Sequence, residues 1–161
     1  MSQLAARSAA EALLSPPSGR SEVAHDWLGA LEEVPLFADL PKRHLRRVAK
    51  LARVRRFAPG SALVRAGDAG RSFFVLLDGH AKVVRVGGRP RRLGMGDYFG
   101  EMALLDDAPR SADVIAEGEV LALTIDRPGF AKLLRAEPTL AQALLRTLAA
   151  RLRAAEHSAY A

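Results

Sequence analysis

The chain has 161 residues, 49% hydrophobic and 26% charged, which fits a soluble globular domain and excludes a disordered chain. It holds no cysteine, which excludes disulfides, thiolate nucleophiles and cysteine-based metal sites, and its net charge of +6 favours an anionic partner such as a nucleotide, a nucleic acid or an acidic surface. No stretch is long and apolar enough to span a bilayer, and Arg7 and Glu11 interrupt any secretory core within Met1–Ser15, so a cytoplasmic location is expected.

Residues 1–24 read as an N-terminal extension or linker: an Ala- and Leu-rich segment over 2–14 suggests a short helix, and Ser15-Pro16-Pro17-Ser18-Gly19 breaks it. A single domain is expected over 25–161. Ala24 to Leu31 resumes a helical period, and Val34-Pro35-Leu36-Phe37 is a tight apolar connector. The next helix is predicted over 41–52, with Leu45, Val48, Ala49 and Ala52 on one side and Arg43, Arg46, Arg47 and Lys50 on the other. No acid occurs between Asp39 and Asp68, whereas Lys42, Arg43, Arg46, Arg47, Lys50, Arg53, Arg55 and Arg56 all fall there. The spacing admits two readings: a solvated helix face, or a docking surface for nucleic acid, lipid or an acidic protein.

From residue 54 the period shortens. Strands are predicted at Val54–Phe57, Ala62–Ala66, Ser72–Leu77, Ala81–Val86, Arg91–Leu93, Ala112–Ala116 and Val120–Ile125, separated by Gly-rich breaks such as Gly67-Asp68-Ala69-Gly70, Asp78-Gly79 and Gly87-Gly88. This cadence predicts a mainly β fold, an antiparallel jelly-roll-like barrel flanked by N-terminal helices and two C-terminal ones. Asp126 is a good N-cap for the first of those two, over Pro128 to Ala136; after Glu137-Pro138-Thr139 a longer one runs to about His157. In it Ala141, Leu145, Leu148, Leu152 and Ala155 recur at 4-3-4-3 spacing, a short coiled-coil-like seam that suits either a homodimer or packing on the chain's own sheet.

One segment, Asp97 to Ala112, interrupts the strand pattern. Good helix formers follow Gly100, so a helix of one or two turns is predicted to start there, and a helix start suits a phosphate. Gly100 lacks the Cβ that would hold a ligand off the backbone, and Arg110, after Pro109, can close on the same anion through two parallel hydrogen bonds. Glu101 would repel a phosphate unless it accepts from a neighbouring sugar hydroxyl or balances Arg110.

Phe99-Gly100-Glu101-Met102-Ala103-Leu104-Leu105, followed by Pro109-Arg110-Ser111-Ala112, resembles the phosphate-binding cassette of cyclic-nucleotide-binding domains. These domains occur in catabolite-activator-type transcription factors, regulatory subunits of cyclic-AMP-dependent protein kinase and cyclic-nucleotide-gated channels. The resemblance extends to Val34-Pro35-Leu36-Phe37, Gly67-Asp68, Phe73-Phe74, Gly79, Gly96-Asp97 and Ile125-Asp126-Arg127, about residues 30 to 157 in all. It implies that Arg110 pairs with the cyclic phosphate and that Glu101 accepts the ribose 2′-hydroxyl. Ser111 is expected to donate to the phosphate, and backbone groups around Phe99, Gly100, Met102, Ala103 and Ala112 to line the pocket. Arg151, Ala155 and Glu156 match the cap over the base, although Ala155-Glu156 stands where the activator proteins place a hydroxyl pair. Cyclic AMP is preferred over cyclic GMP on family frequency. Leu104, Phe130 and Leu134 match the hinge that carries ligand binding to the last helix.

The expected function is therefore a stand-alone cyclic-nucleotide sensor, not an enzyme, with a downstream protein that the sequence leaves unidentified. The alternative is a degenerate domain of the same fold that uses its basic face for interaction. His25, His44, His80 and His157 are scattered, so neither a metal site nor a nucleophile–base pair is predicted, and no cofactor is expected besides the ligand. The chain stops at Ala161 without the winged helix-turn-helix of the activator proteins, so DNA reading by that device is not expected.

Overall fold

The computed structural model describes residues 23–160; the helix predicted over 2–14 and the break after it lie outside them. In chain order come helix α1 (Val23–Glu32), a 3-10 turn (Pro35–Phe37), α2 (Lys42–Leu51), strands β1 (Ala52–Phe57), β2 (Ala62–Val64), β3 (Ser72–Val84), β4 (Arg91–Leu93) and β5 (Tyr98–Phe99). A short helix α3 (Glu101–Leu105) follows, then β6 (Asp113–Asp126), α4 (Arg127–Ala136) and α5 (Pro138–Tyr160).

The sheet is built on two long antiparallel strands. β3 and β6 pair from Ser72↔Asp126 to Val84↔Asp113, with register shifts between Leu76 and His80. The predicted break at Asp78-Gly79 is therefore a bulge inside one strand, where Gly79 takes a φ of 85° that a side chain would resist. Gly118, at φ 83°, marks the corresponding bend of β6. Four predicted strands are thus two, and the short β5 was not foreseen.

The prediction of a mainly β, closed barrel is overturned. The hydrogen-bonded order is β1-β6-β3-β4, with β2 on β6 and β5 on β3, so β4 does not return to β1 and the sheet stays open. Among the described residues the helices also hold more of the chain than the strands, which makes this a mixed fold of one sheet and flanking helices. The physical reason lies in the short strands: each pairs with one end of a long central strand, and none spans the gap to the opposite edge. Short runs between glycines look alike in a closed barrel and in a bent open sheet.

Both faces of the bent sheet are buried. Phe73, Val75 and Leu77 join Leu121, Leu123 and Ile125 under the helices, against Phe37, Leu45, Val48, Phe130, Leu133, Leu140 and Leu144. Phe74 and Leu76 face the other way, with Phe57, Leu63, Leu93, Val114 and Val120. A strand buried on both sides shows no alternation, which is why Phe73 to Leu77 reads as a continuous apolar run.

Asp126 caps α4 as predicted, its Oδ1 accepting from the Gly129 N–H at 2.8 Å. α4 ends at Glu137, whose N–H donates to the Leu133 carbonyl at 2.9 Å and whose carbonyl accepts from Leu140 and Ala141. The Glu137 side chain is 1% exposed and ties this elbow to α2: His44 Nδ1 lies 2.6 Å from Oε2 and Arg47 Nη1 donates to Oε1 at 3.3 Å.

Candidate functional site

β5 delivers Phe99 against Phe74, the rings stacked at 4.7 Å and 4°, and pairs with β3 so that Gly100 emerges beside the start of that strand. Gly100 has φ 95° and turns the chain into α3. A Cβ there would sit 2.7 Å from Arg110 Nη1 and 2.9 Å from the Ser72 carbonyl oxygen. The glycine thus makes room for the arginine side chain, a more local reason than backbone access for a ligand.

Arg110 reaches into that room. Its Nη1 donates to the Gly100 carbonyl at 3.1 Å and its Nη2 to the Ser72 carbonyl at 2.6 Å, and the guanidinium lies 5.9 Å from the centre of the Phe74 ring. Only 8% of the residue is exposed. Burial, and then the neighbouring charge of Arg127, push the guanidinium below its ordinary value, while Glu101 pulls it back up. Among the described residues no carboxylate forms an ion pair with Arg110, so it is a buried cation held by carbonyl dipoles alone. Such a group gains from any anion that can reach it.

Glu101 takes another partner. It is 2% exposed in the first turn of α3, and its Oε1 accepts from Arg151 Nη1 at 2.6 Å. Arg151 comes from α5 and lies 5.7 Å from the Tyr98 ring centre, so one ion pair joins the last helix to the cassette. Of the predicted cap residues Arg151 is brought to the site, whereas Ala155 and Glu156 are exposed farther along α5.

The remaining predicted residues divide by burial. Ala103 and Ala112 are buried, while Met102 and Ser111 are exposed. Leu104 and Leu134 are partly buried against the same core cluster as Phe130, whose ring stacks on Phe73 at 5.0 Å; the three predicted hinge positions share one packed region. A cleft of about 420 Å³ opens nearby between the 3-10 turn, the approach to β5 and α5, lined by Pro35, Leu36, Arg91, Asp97, Tyr98 and Arg151 among others. The Tyr98 hydroxyl is buried without a hydrogen-bond partner. Among the described residues no group of three or more His, Asp or Glu side chains is placed to hold a metal ion.

Arg127 carries a role that residue-by-residue reading missed. Its Nε and Nη2 donate to the Gly70 carbonyl at 3.1 and 2.6 Å, Nη2 also donates to the Ala103 carbonyl at 3.1 Å, and Nη1 pairs with Asp107. One guanidinium therefore joins the loop before β3, helix α3, the cassette loop and the start of α4. A signal was available: a cation in the first turn of a helix opposes the macrodipole and needs another reason to be there.

With this geometry in view, comparison with known proteins defines the class. The family model for the cyclic nucleotide-binding domain matches residues 54–137, more than half of the chain, and the chain belongs to that family. The particular relatives are regulatory proteins. The chain is 38% identical over 104 residues to a cAMP-dependent protein kinase regulatory subunit of Hypocrea atroviridis, an alignment that takes in 65% of this chain and 22% of that one. Among solved structures it is similar to the regulatory domain of Toxoplasma gondii PKA crystallised with cAMP (27% identity, TM-score 0.72, 81% of this chain and 51% of that chain). It is also similar to the Thermus thermophilus Catabolite Activator Protein (32% identity, TM-score 0.71, 77% and 61%). The chain spans about a quarter of the length of the curated relatives it matches. The match is to a cyclic nucleotide-binding domain, and the curated relatives that share it are named as regulatory subunits.

Proposed function

We propose that the module senses cyclic AMP in preference to cyclic GMP through the cassette from Phe99 to Ala112. The observation that carries this reading is Arg110, a buried guanidinium with no carboxylate partner among the described residues, set against Gly100, where a Cβ would collide with it. A cyclic phosphate supplies the missing anion through a bidentate pair. Ser111, exposed beside it, adds a hydroxyl donor. Glu101 shares its carboxylate between Arg151 and the ribose 2′-hydroxyl, so the ligand and α5 meet at one group. The preference for cyclic AMP rests on the relatives named as cAMP-dependent and on the structure crystallised with cAMP.

Binding shifts the molecule only as far as the ligand prefers one arrangement of α5 over another. Arg151 on Glu101, and Leu104 against the core that holds Phe130, are the two contacts through which the cassette can report to α5. A downstream protein reads that change. The apolar seam on α5 supports a second copy as one such reader, because Leu145 and Leu152 are 65% and 61% exposed.

A cyclic nucleotide has about 22 non-hydrogen atoms, and about −0.3 to −0.4 kcal/mol per atom gives roughly −7 to −9 kcal/mol. The matching dissociation constant is about 0.1 to 10 μM. Titration calorimetry with cyclic AMP, cyclic GMP and linear AMP tests the proposal. The expected order is cyclic AMP tightest and linear AMP weakest; equal or absent heats for all three would overturn it.

A further inference from the structure

Resting on the cassette reading above and deepening it, we infer that Arg127 is a positioning residue of the anion site: it acts on a bound phosphate through Arg110 and ties that site to the first turn of α4. Arg110 is held at two levels. Its guanidinium donates to the Gly100 and Ser72 carbonyls, and its backbone pairs with the loop before β3. There the Arg110 N–H donates to the Asp68 carbonyl at 2.8 Å, and the Gly67 N–H donates to the Arg110 carbonyl at 2.9 Å. That loop runs on to Gly70, which is buried and lies so close to α3 that a Cβ on it would sit 2.5 Å from the Ala103 Cβ.

Arg127 closes this corner. Its own N–H donates to the Arg71 carbonyl at 2.9 Å, its Nε and Nη2 converge on the Gly70 carbonyl, and Nη2 also donates to the Ala103 carbonyl. Nη1 pairs with Asp107, which at φ 57° is the one non-glycine residue with a left-handed backbone among the described residues. The loop that carries the Arg110 backbone, the helix that follows Gly100 and the start of α4 therefore meet on a single planar fork. A lysine presents a point charge in place of that fork and cannot satisfy these directions together.

The arrangement is also electrostatically costly while the site is empty. A cation in the first turn of a helix faces the positive end of the dipole. Burial pushes the Arg110 guanidinium below its ordinary value, Arg127 adds to that, and Glu101 pulls the other way. Glu101 is itself engaged by Arg151. An anion seated on Arg110 relieves the repulsion between the two guanidinium groups, whereas an uncharged strut would close the corner without creating it.

The test is a double-mutant cycle on the whole chain, with cyclic AMP titrated calorimetrically at a temperature where circular dichroism shows the variants folded. Arg127→Met is expected to weaken binding about 10-fold when Arg110 is intact, and no more than about 3-fold in the Arg110→Lys background, where the fork that Arg127 aligns is gone. Arg127→Lys keeps the charge and runs the same cycle should the Met variant fail to fold, with expected losses of about 5-fold and under about 2-fold. At saturating cyclic AMP, hydrogen exchange over residues 127–133 is expected to slow in the unaltered chain and not in the Arg127 variants. A loss under about 2-fold in both Arg127 variants, equal losses in the two Arg110 backgrounds, or full retention of that slowing would overturn the inference. The cassette reading survives those results as long as Arg110→Lys itself weakens binding. No binding by the unaltered chain, or no loss in Arg110→Lys, would overturn both.

Discussion

Two arginine-bearing regions of this molecule do opposite things with the same side chain. In the cassette, Arg110 is 8% exposed and fixed by the Gly100 and Ser72 carbonyls. On α2 and β1, arginines are exposed, and where they pair with acids the distances are 3.3 and 3.6 Å. A buried, immobilised guanidinium makes one demanding site, because its desolvation has already been incurred and an anion recovers it. A row of exposed cations makes a tolerant surface whose strength comes from number and falls with salt. Charge alone did not separate the two in the sequence; the glycine beside Arg110 does so in the structure.

The comparison can be broken at several places. The largest effect on ligand binding is expected for Arg110→Ala, which removes one partner of a desolvated charge pair and should weaken cyclic-nucleotide binding by about 2 to 5 kcal/mol. Phe130→Ala should lower stability by about 3 to 5 kcal/mol in denaturant titration. It should also weaken the ligand-induced protection of residues 139–157 in hydrogen exchange more than it weakens binding; unchanged protection would remove Phe130 from the hinge. Arg127→Met deletes hydrogen bonds to the Gly70 and Ala103 carbonyls and the pair with Asp107, and about 1 to 3 kcal/mol of stability is expected to go with the buried part. Gly100→Ala combines a positive φ with a contact onto Arg110, for about 1 to 3 kcal/mol measured by thermal unfolding. The smallest change belongs to the exposed face: Arg46→Gln should move stability by no more than about 0.5 kcal/mol.

What the sequence disclosed follows the same divide between local and tertiary causes. The α2 helix and the Asp126 cap were legible because periodicity and capping act within a few residues. The family was legible because Phe99-Gly100-Glu101 and Pro109-Arg110-Ser111-Ala112 keep a strict order. The continuity of β3 through Gly79 was hidden, since a glycine with positive φ looks the same in a turn and in a bulge. Sheet closure was misread because it depends on which distant edges pair. Glu137, read as punctuation before Pro138, is instead the buried tie between the α4–α5 elbow and α2, through partners about 90 residues away. Arg127 likewise finds its acceptors in three separate segments, and no local pattern announces them.

If one buried arginine, and not the abundant surface charge, holds the nucleotide as proposed, the two kinds of arginine must respond differently to removal. Parallel calorimetric titration of cyclic AMP into the unaltered chain, Arg110→Ala and Arg46→Gln tests it most directly. Arg46→Gln is expected to match the unaltered chain while Arg110→Ala loses about 30-fold or more in affinity. Equal affinity in Arg110→Ala, or a comparable loss in both variants, would contradict it.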